Sequence, residues 1–122
     1  MIIRPAHEIA EEKLDDLKTQ QLWQQGLIKE YQSKLTFIIR EYLENRYDMK
    51  ALESTTQEIL KDLMSRDFDP GLNNDLREIL TMADLVKFAK ARPGENIHES
   101  FMLKAYELIN RTKSVVKPDE DE

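Results

Sequence analysis

Residues Tyr31–Leu63, YQSKLTFIIREYLENRYDMKALESTTQEILKDL, decide the fold class. Turning about 100° per residue from Tyr31 places Leu27, Ile28, Tyr31, Leu35, Ile38, Ile39 and Tyr42 on one face of a helix. Arg40 and Glu44 fall opposite, four apart, where an Arg–Glu pair adds a few tenths of a kcal/mol. Phe37 lies off the stripe, so a second neighbour covers it or it belongs to an interface. Asn45 and Asp48 suit a terminus and Arg46 suits the negative end of a helix, which predicts fraying near 46–48. Downstream, Thr55 and Glu58 have the spacing of a capping box, each side chain reaching the other's backbone amide, and Ile59, Leu60 and Leu63 follow at once. Two amphipathic helices in succession, each needing partners on its apolar face, point to an all-α bundle.

Composition agrees. The chain has 122 residues, 34% charged and 40% hydrophobic, with 3 glycines and 4 prolines. That is enough for one domain with a core and too few turn residues for a sheet protein. No run of about 18 apolar residues and no signal-peptide pattern is present. Cysteine is absent, so disulfide and thiol chemistry are excluded. The net charge is −6, but four acids form the run Asp119-Glu120-Asp121-Glu122, and without them 20 acidic residues face 18 basic ones. No basic stripe is offered to phosphates, so no nucleic-acid partner is expected.

Outward from the central stretch, a first helix is expected over about Pro5–Gln24, with Ala6, Ala10, Leu14 and Leu17 as a narrow seam and Gly26 as a left-handed cap. The start, Met1-Ile2-Ile3-Arg4-Pro5, reads either as a strand-like arm packed on the domain or as a chain cut from something larger. Trp23, Gly26 and Tyr31 are spaced as in one tetratricopeptide unit, but no second copy follows. Pro70-Gly71 reads as a breaker. From Leu72 on, Leu76, Ile79, Leu80, Ala83 and Val86 share a face, with Leu85 and Phe88 behind them. A helix apolar on both sides is central to a bundle or shows one side to a partner, and the central placement is expected. Arg92-Pro93-Gly94 ends it. A last helix runs from Glu95 or Asn96 to Lys113 and buries Ile97, Phe101, Ala105, Leu108 and Ile109, while Leu103 and Tyr106 point elsewhere. The expected organisation is a single bundle of about five helices over residues 1–113 and an acidic disordered tail over 114–122.

Catalytic and metal-binding patterns fail on inspection. Asp67, Asp69, Asp75 and Glu78 match four places of a calcium loop, but Leu72 stands where the sharp turn needs glycine. His7 and His98 have no second histidine or cysteine at ligand spacing, and His98 falls near a buried face, as a hydrogen-bonded core histidine. There is no phosphate loop and no nucleophile elbow. Read as a recognition helix, Leu72–Phe88 is too acidic for DNA. The expectation is a non-enzymatic domain with no metal and no cofactor.

A series of short blocks gives a more specific indication. Arg4–Ala10 with Leu22–Gly26 and Lys29–Tyr31, then Leu35-Thr36, Ile38–Arg46, Ala51–Leu60 and Ala83–Lys90, together resemble the C-terminal helical domain of BatD-like bacterial proteins. These are encoded beside MoxR-type AAA ATPases and von Willebrand factor A-domain proteins in aerotolerance-type operons. The resemblance spans about residues 4–110. It implies a cytosolic domain on the cytoplasmic side of the inner membrane, tethered through an upstream transmembrane helix, and a MoxR-type ATPase or von Willebrand A-type protein as partner. It supplies no catalytic residue. Within the family-like blocks, Arg40, Arg46, Lys87 and Lys90 are the candidate polar contacts, with Tyr47 and Phe88 as aromatic anchors, because Arg and aromatic residues are favoured at hot spots. For each there is a plainer role: Arg40 pairing with Glu44, Phe88 in the core, the lysines solvated. The alternative is a structural or self-associating domain, a homodimer through Phe37, Leu85, Leu103 and Tyr106.

Overall fold

Five α-helices account for most of the chain: α1 Ala6–Gln20, α2 Ile28–Tyr47, α3 Thr56–Ser65, α4 Pro70–Ala89 and α5 Glu95–Thr112. Two single 3₁₀ turns, Trp23–Gln25 and Ala51–Glu53, lie in the connections, and no strand occurs among the described residues. This computed structural model describes residues 4–114. Residues 1–3 of the expected arm at 1–5, and 115–122 of the expected tail at 114–122, lie outside them.

α2 is the hub, in contact with α1, α4 and α5. Lys34 reaches Gln20 and Lys13 reaches Glu41, so α1 runs antiparallel to α2. Tyr31 donates to the His98 carbonyl near one end and Tyr42 meets Thr112 at the other, so α5 runs parallel to it. Lys104 with Glu78 and Arg111 with Asp69 set α4 antiparallel to α5, and Thr56 with Asp84 ties α3 across α4. The expected stripe forms the centre of the core: Tyr31, Leu35, Ile38, Ile39 and Tyr42 are all buried, and Leu43, outside the expected stripe, is buried with them. Ile59 and Leu63 of α3, Leu76, Ile79 and Leu80 of α4, and Phe101, Ala105 and Ile109 of α5 complete it. Each such side chain taken fully out of water contributes about 1.5–3 kcal/mol before its entropy cost. Leu27 departs from the stripe. It precedes the helix and is exposed, because the stripe's geometry starts only where the helix does.

Helix ends differ more than helix faces. α1 stops at Gln20 instead of Gln24, because Gln21 turns left-handed and the Gln25 side-chain amide donates to the carbonyls of Gln20 and Gln21. Gly26 does take a left-handed conformation, φ 85°, but it caps the 3₁₀ turn. Asp48 ends α2 and Lys90 ends α4 in the same conformation. Pro70 and Gly71 do not break a helix. Asp69 caps α4 by accepting from the amides of Gly71 and Leu72, which hold its carboxyl below the usual carboxylate range, and Pro70 is the first helical residue, where a missing N–H does no harm. The Thr55–Glu58 capping box forms with both bonds, at 3.1 and 2.8 Å. The expectation that α4 is central along its length holds for its first turns only: Leu85 and Phe88 stand in solvent. Tyr106 does not point away. Its hydroxyl donates to Asp15 of α1 and its ring packs on the core.

Candidate docking groove between α2 and α4

Three of the seven large exposed apolar side chains among the described residues, Phe37, Leu52 and Phe88, meet in one place, while Leu27, Met64, Leu85 and Leu103 lie outside it. Phe37, off the stripe of α2, and Phe88, on the back of α4, are 48% and 75% exposed and flank a groove of about 510 Å³. Leu52, on the 3₁₀ turn before α3, adds a third apolar wall, and Thr56, Arg40 and Lys87 line the rest. A second depression of about 350 Å³ between α1 and α2 continues from it, with Ser33 and Phe37 common to both. Lys87 Nζ lies 5.1 Å from the centre of the Phe88 ring, and Lys13 Nζ lies 5.8 Å from that of Phe37, so each aromatic carries a cation against its face.

The wall opposite α4 is fixed by α2 itself. Arg40 does not pair with Glu44 as expected. Its guanidinium donates to the carbonyls of Ser54 and Ala51, while the Glu44 carboxylate accepts from the amide of Leu52 at 3.1 Å. Both residues clasp the connection that leads into α3, and so hold Leu52 in the groove. Asp84, on the α4 side, accepts from Thr56 Oγ1 at 2.7 Å. The groove is therefore braced on two sides by charge-assisted hydrogen bonds, which favours a preformed shape.

Of the six candidate contacts, Arg40, Lys87 and Phe88 come together here. Lys90 ends α4 beyond the groove and is exposed. Arg46 and Tyr47 lie at the other end of α2. Arg46 Nε donates to the Thr112 carbonyl at 2.6 Å, satisfying the C-terminus of α5, and the guanidinium covers the Tyr47 ring at 4.7 Å. Tyr47 in turn meets the Phe68 ring edge-on, centroids 5.9 Å apart. Those two residues join helix ends. Sequence reasoning missed Leu52, Thr56 and Asp84 as groove residues, since their meeting depends on how α3 and α4 cross α2.

The buried polar groups sit elsewhere. His98 is buried with its ring stacked on Trp23 and edge-on to Tyr31, both centroids 5.4 Å away. Gln32 Nε2 lies 3.1 Å from His98 Nδ1, but Gln32 Oε1 and His98 Nε2 have no partner. The core histidine expected from sequence is thus hydrogen-bonded on one nitrogen only. Burial lowers its pKa, with Glu95 pulling weakly the other way, and burial raises that of Tyr31. Three of the four acids of the rejected calcium loop have other work: Asp69 caps α4, and Asp75 and Glu78 hold Lys104. No group of three His, Cys, Asp or Glu side chains at metal-binding distances occurs among the described residues, and none of their helices is long and apolar enough to cross a membrane.

What fold and groove define is an all-α bundle with one braced, aromatic-lined groove. No protein-family model matches the chain, and neither a curated protein nor a solved structure is similar enough to it to establish a relationship.

Proposed function

We propose that this is a non-enzymatic protein-interaction domain that docks a partner through the α2–α4 groove. The observation that carries the reading is Phe88. An aromatic side chain 75% exposed, beside a second exposed phenylalanine and between Arg40 and Lys87, is a poor use of a large apolar residue unless something covers it. The resemblance to BatD-like domains names the partners to try first, a MoxR-type AAA ATPase and a von Willebrand A-domain protein, and with them a position at the cytoplasmic face of a bacterial inner membrane.

The test is a calorimetric titration of the whole chain against the ATPase, with and without ATP, and then against the von Willebrand A-type protein. Saturable binding that weakens at least about tenfold in Phe88→Ala, as expected for an anchor residue, supports docking at this groove. Charge reversal belongs at Lys87. Arg40 and Arg46 hold backbone carbonyls, so their variants would confound binding with stability. Equal affinity for wild type and Phe88→Ala would remove the groove from the account. Concentration-dependent sedimentation of the chain alone, abolished by Leu103→Ala or Phe37→Ala, would favour the self-associating alternative.

A further inference from the structure

Resting on that docking reading, we infer that the groove takes an acidic, amphipathic segment of a protein partner: carboxylates flanking an aromatic or aliphatic anchor. The charge distribution carries the choice. The groove's two long walls come from α2 and α4, and apart from the one acid that lines it, Asp84, the stretches 31–40 and 85–94 that contribute to them contain no acid. Residues 31–40, on α2, contain Lys34 and Arg40, and residues 85–94, at the end of α4, contain Lys87, Lys90 and Arg92. Of these five cations, Arg40 and Lys87 line the groove and Lys34 the adjoining depression, while Lys90 and Arg92 follow beyond the end of α4, in a chain of net charge −6. The packing of α4 antiparallel to α2 brings the two stretches face to face across the groove.

The charges at the end of α4 remain available. Among the described residues, no carboxylate lies within 4 Å of Lys87, Lys90 or Arg92, and Arg40 is engaged by backbone carbonyls only. Lys34 alone is paired, with Glu30 at 3.5 Å on the helix surface. One acid, Asp84, lines the groove, and its carboxylate takes the Thr56 hydroxyl. Alongside Arg40 and Lys87 lie the apolar surfaces of Phe37, Leu52 and Phe88. A ligand that satisfies both layers has apolar side chains and negative charges within a few residues of each other, as an amphipathic acidic peptide does. An extended polyanion fits less well. The groove is recessed between helices and lined by three apolar walls, and the rest of the chain is acidic and repels nucleic acid and anionic lipid alike.

Selection of displayed random 12-residue peptides on the whole chain, followed by anisotropy titration of the selected sequences, tests this. Expected are peptides rich in Asp and Glu around Phe, Trp or Leu. Their affinity should fall about tenfold or more in Lys87→Glu/Lys90→Glu and in Phe88→Ala, and fall again when salt is raised to 0.5 M. All three positions are exposed, and unchanged melting temperatures will show that the variants remain folded. Basic or uncharged peptides that lose affinity in Phe88→Ala but not in Lys87→Glu/Lys90→Glu would overturn the acidic chemistry while leaving docking at the groove intact. So would the selection of no peptide while the partner still binds through Phe88, since the partner would then engage by a folded surface. Binding of phosphatidylserine vesicles or of an oligonucleotide through the same lysines, with no peptide selected, would replace the proposal by a polyanion site. No selected peptide together with partner binding indifferent to Phe88 would end the docking reading itself.

Discussion

His98 shows how one buried side chain makes stability depend on pH. Its ring is enclosed by Trp23, Tyr31 and Gln32, and one nitrogen has no partner, so the neutral form is favoured and the pKa lies below the free value. The unfolded chain then binds a proton more readily than the folded one. Stability from this residue is complete above roughly pH 6.5, the free imidazole value, and is lost as pH falls through that value toward the lower folded pKa. The expected result is a lower urea midpoint at pH 5 than at pH 7.5, with most of that difference absent in His98→Gln. A difference of the same size in the variant would assign it to other groups. The histidine's burial is legible in its place on the helical stripe. The partners around it are not, because Gln32 and Trp23 come from elsewhere in the chain and nothing in the local sequence marks Gln32 as buried. Arg40 makes the same point. Its spacing to Glu44 is that of a helix-surface pair, yet hydrogen bonds to the carbonyls of Ala51 and Ser54 won, because those groups need donors and a solvated Arg–Glu pair gains little. Arg40→Ala should destabilise by about 1.5–3 kcal/mol in chemical denaturation, the range for hydrogen bonds to a charged group, and Arg40→Lys should recover only part of it. Wild-type stability in Arg40→Ala would mean that the connection is held without this residue.

Elements differ in how they announce themselves. The start of α3 is written in four residues, and both halves of its capping box form. Thr55→Ala should cost about 1 kcal/mol, a fall of roughly 4 °C in the melting temperature. Because Thr55 also lines the groove, the same variant should carry a small defect in partner binding. A melting temperature unmoved within error would show that the neighbouring Thr56–Asp84 bond holds the helix start without the cap. The ends of helices are harder. Gln21, Asp48 and Lys90 each adopt a left-handed conformation where glycine is the usual signal, so α1 ends four residues earlier than its apolar pattern indicates. Pro70 misleads in the other direction: the sequence shows a breaker, but after Asp69 the same proline is a helix start. Which of the two it is depends on the cap, and the cap depends on Asp69 being free to turn its carboxylate onto the amides that follow.

Across the whole molecule, core and groove separate into distinct sets of side chains. Ile39 is fully buried at the hub, and Ile39→Ala should lose about 2–5 kcal/mol, from lost burial and the cavity left behind. Phe88→Ala removes a larger side chain from a mostly exposed site and should leave the denaturation midpoint almost unchanged while weakening the proposed docking at least about tenfold. A large stability loss in Phe88→Ala would mean that the residue serves the bundle and not a partner. This contrast defines what the groove is: apolar surface that folding does not use.

The sequence by itself determined the helical class, the buried stripe of α2, the capping box and the apolar faces of α4 and α5, because each depends on the spacing of residues within one helix. It also held the two acid-free stretches, 31–40 and 85–94, that contribute to the groove's walls. Only the tertiary structure decided that those stretches face each other, that Arg40 and Glu44 turn to the α2–α3 connection, and that Leu85 and Phe88 lie outside the core. These follow from which helices pack against α2 and in which direction, and periodicity along a single helix carries no information about that.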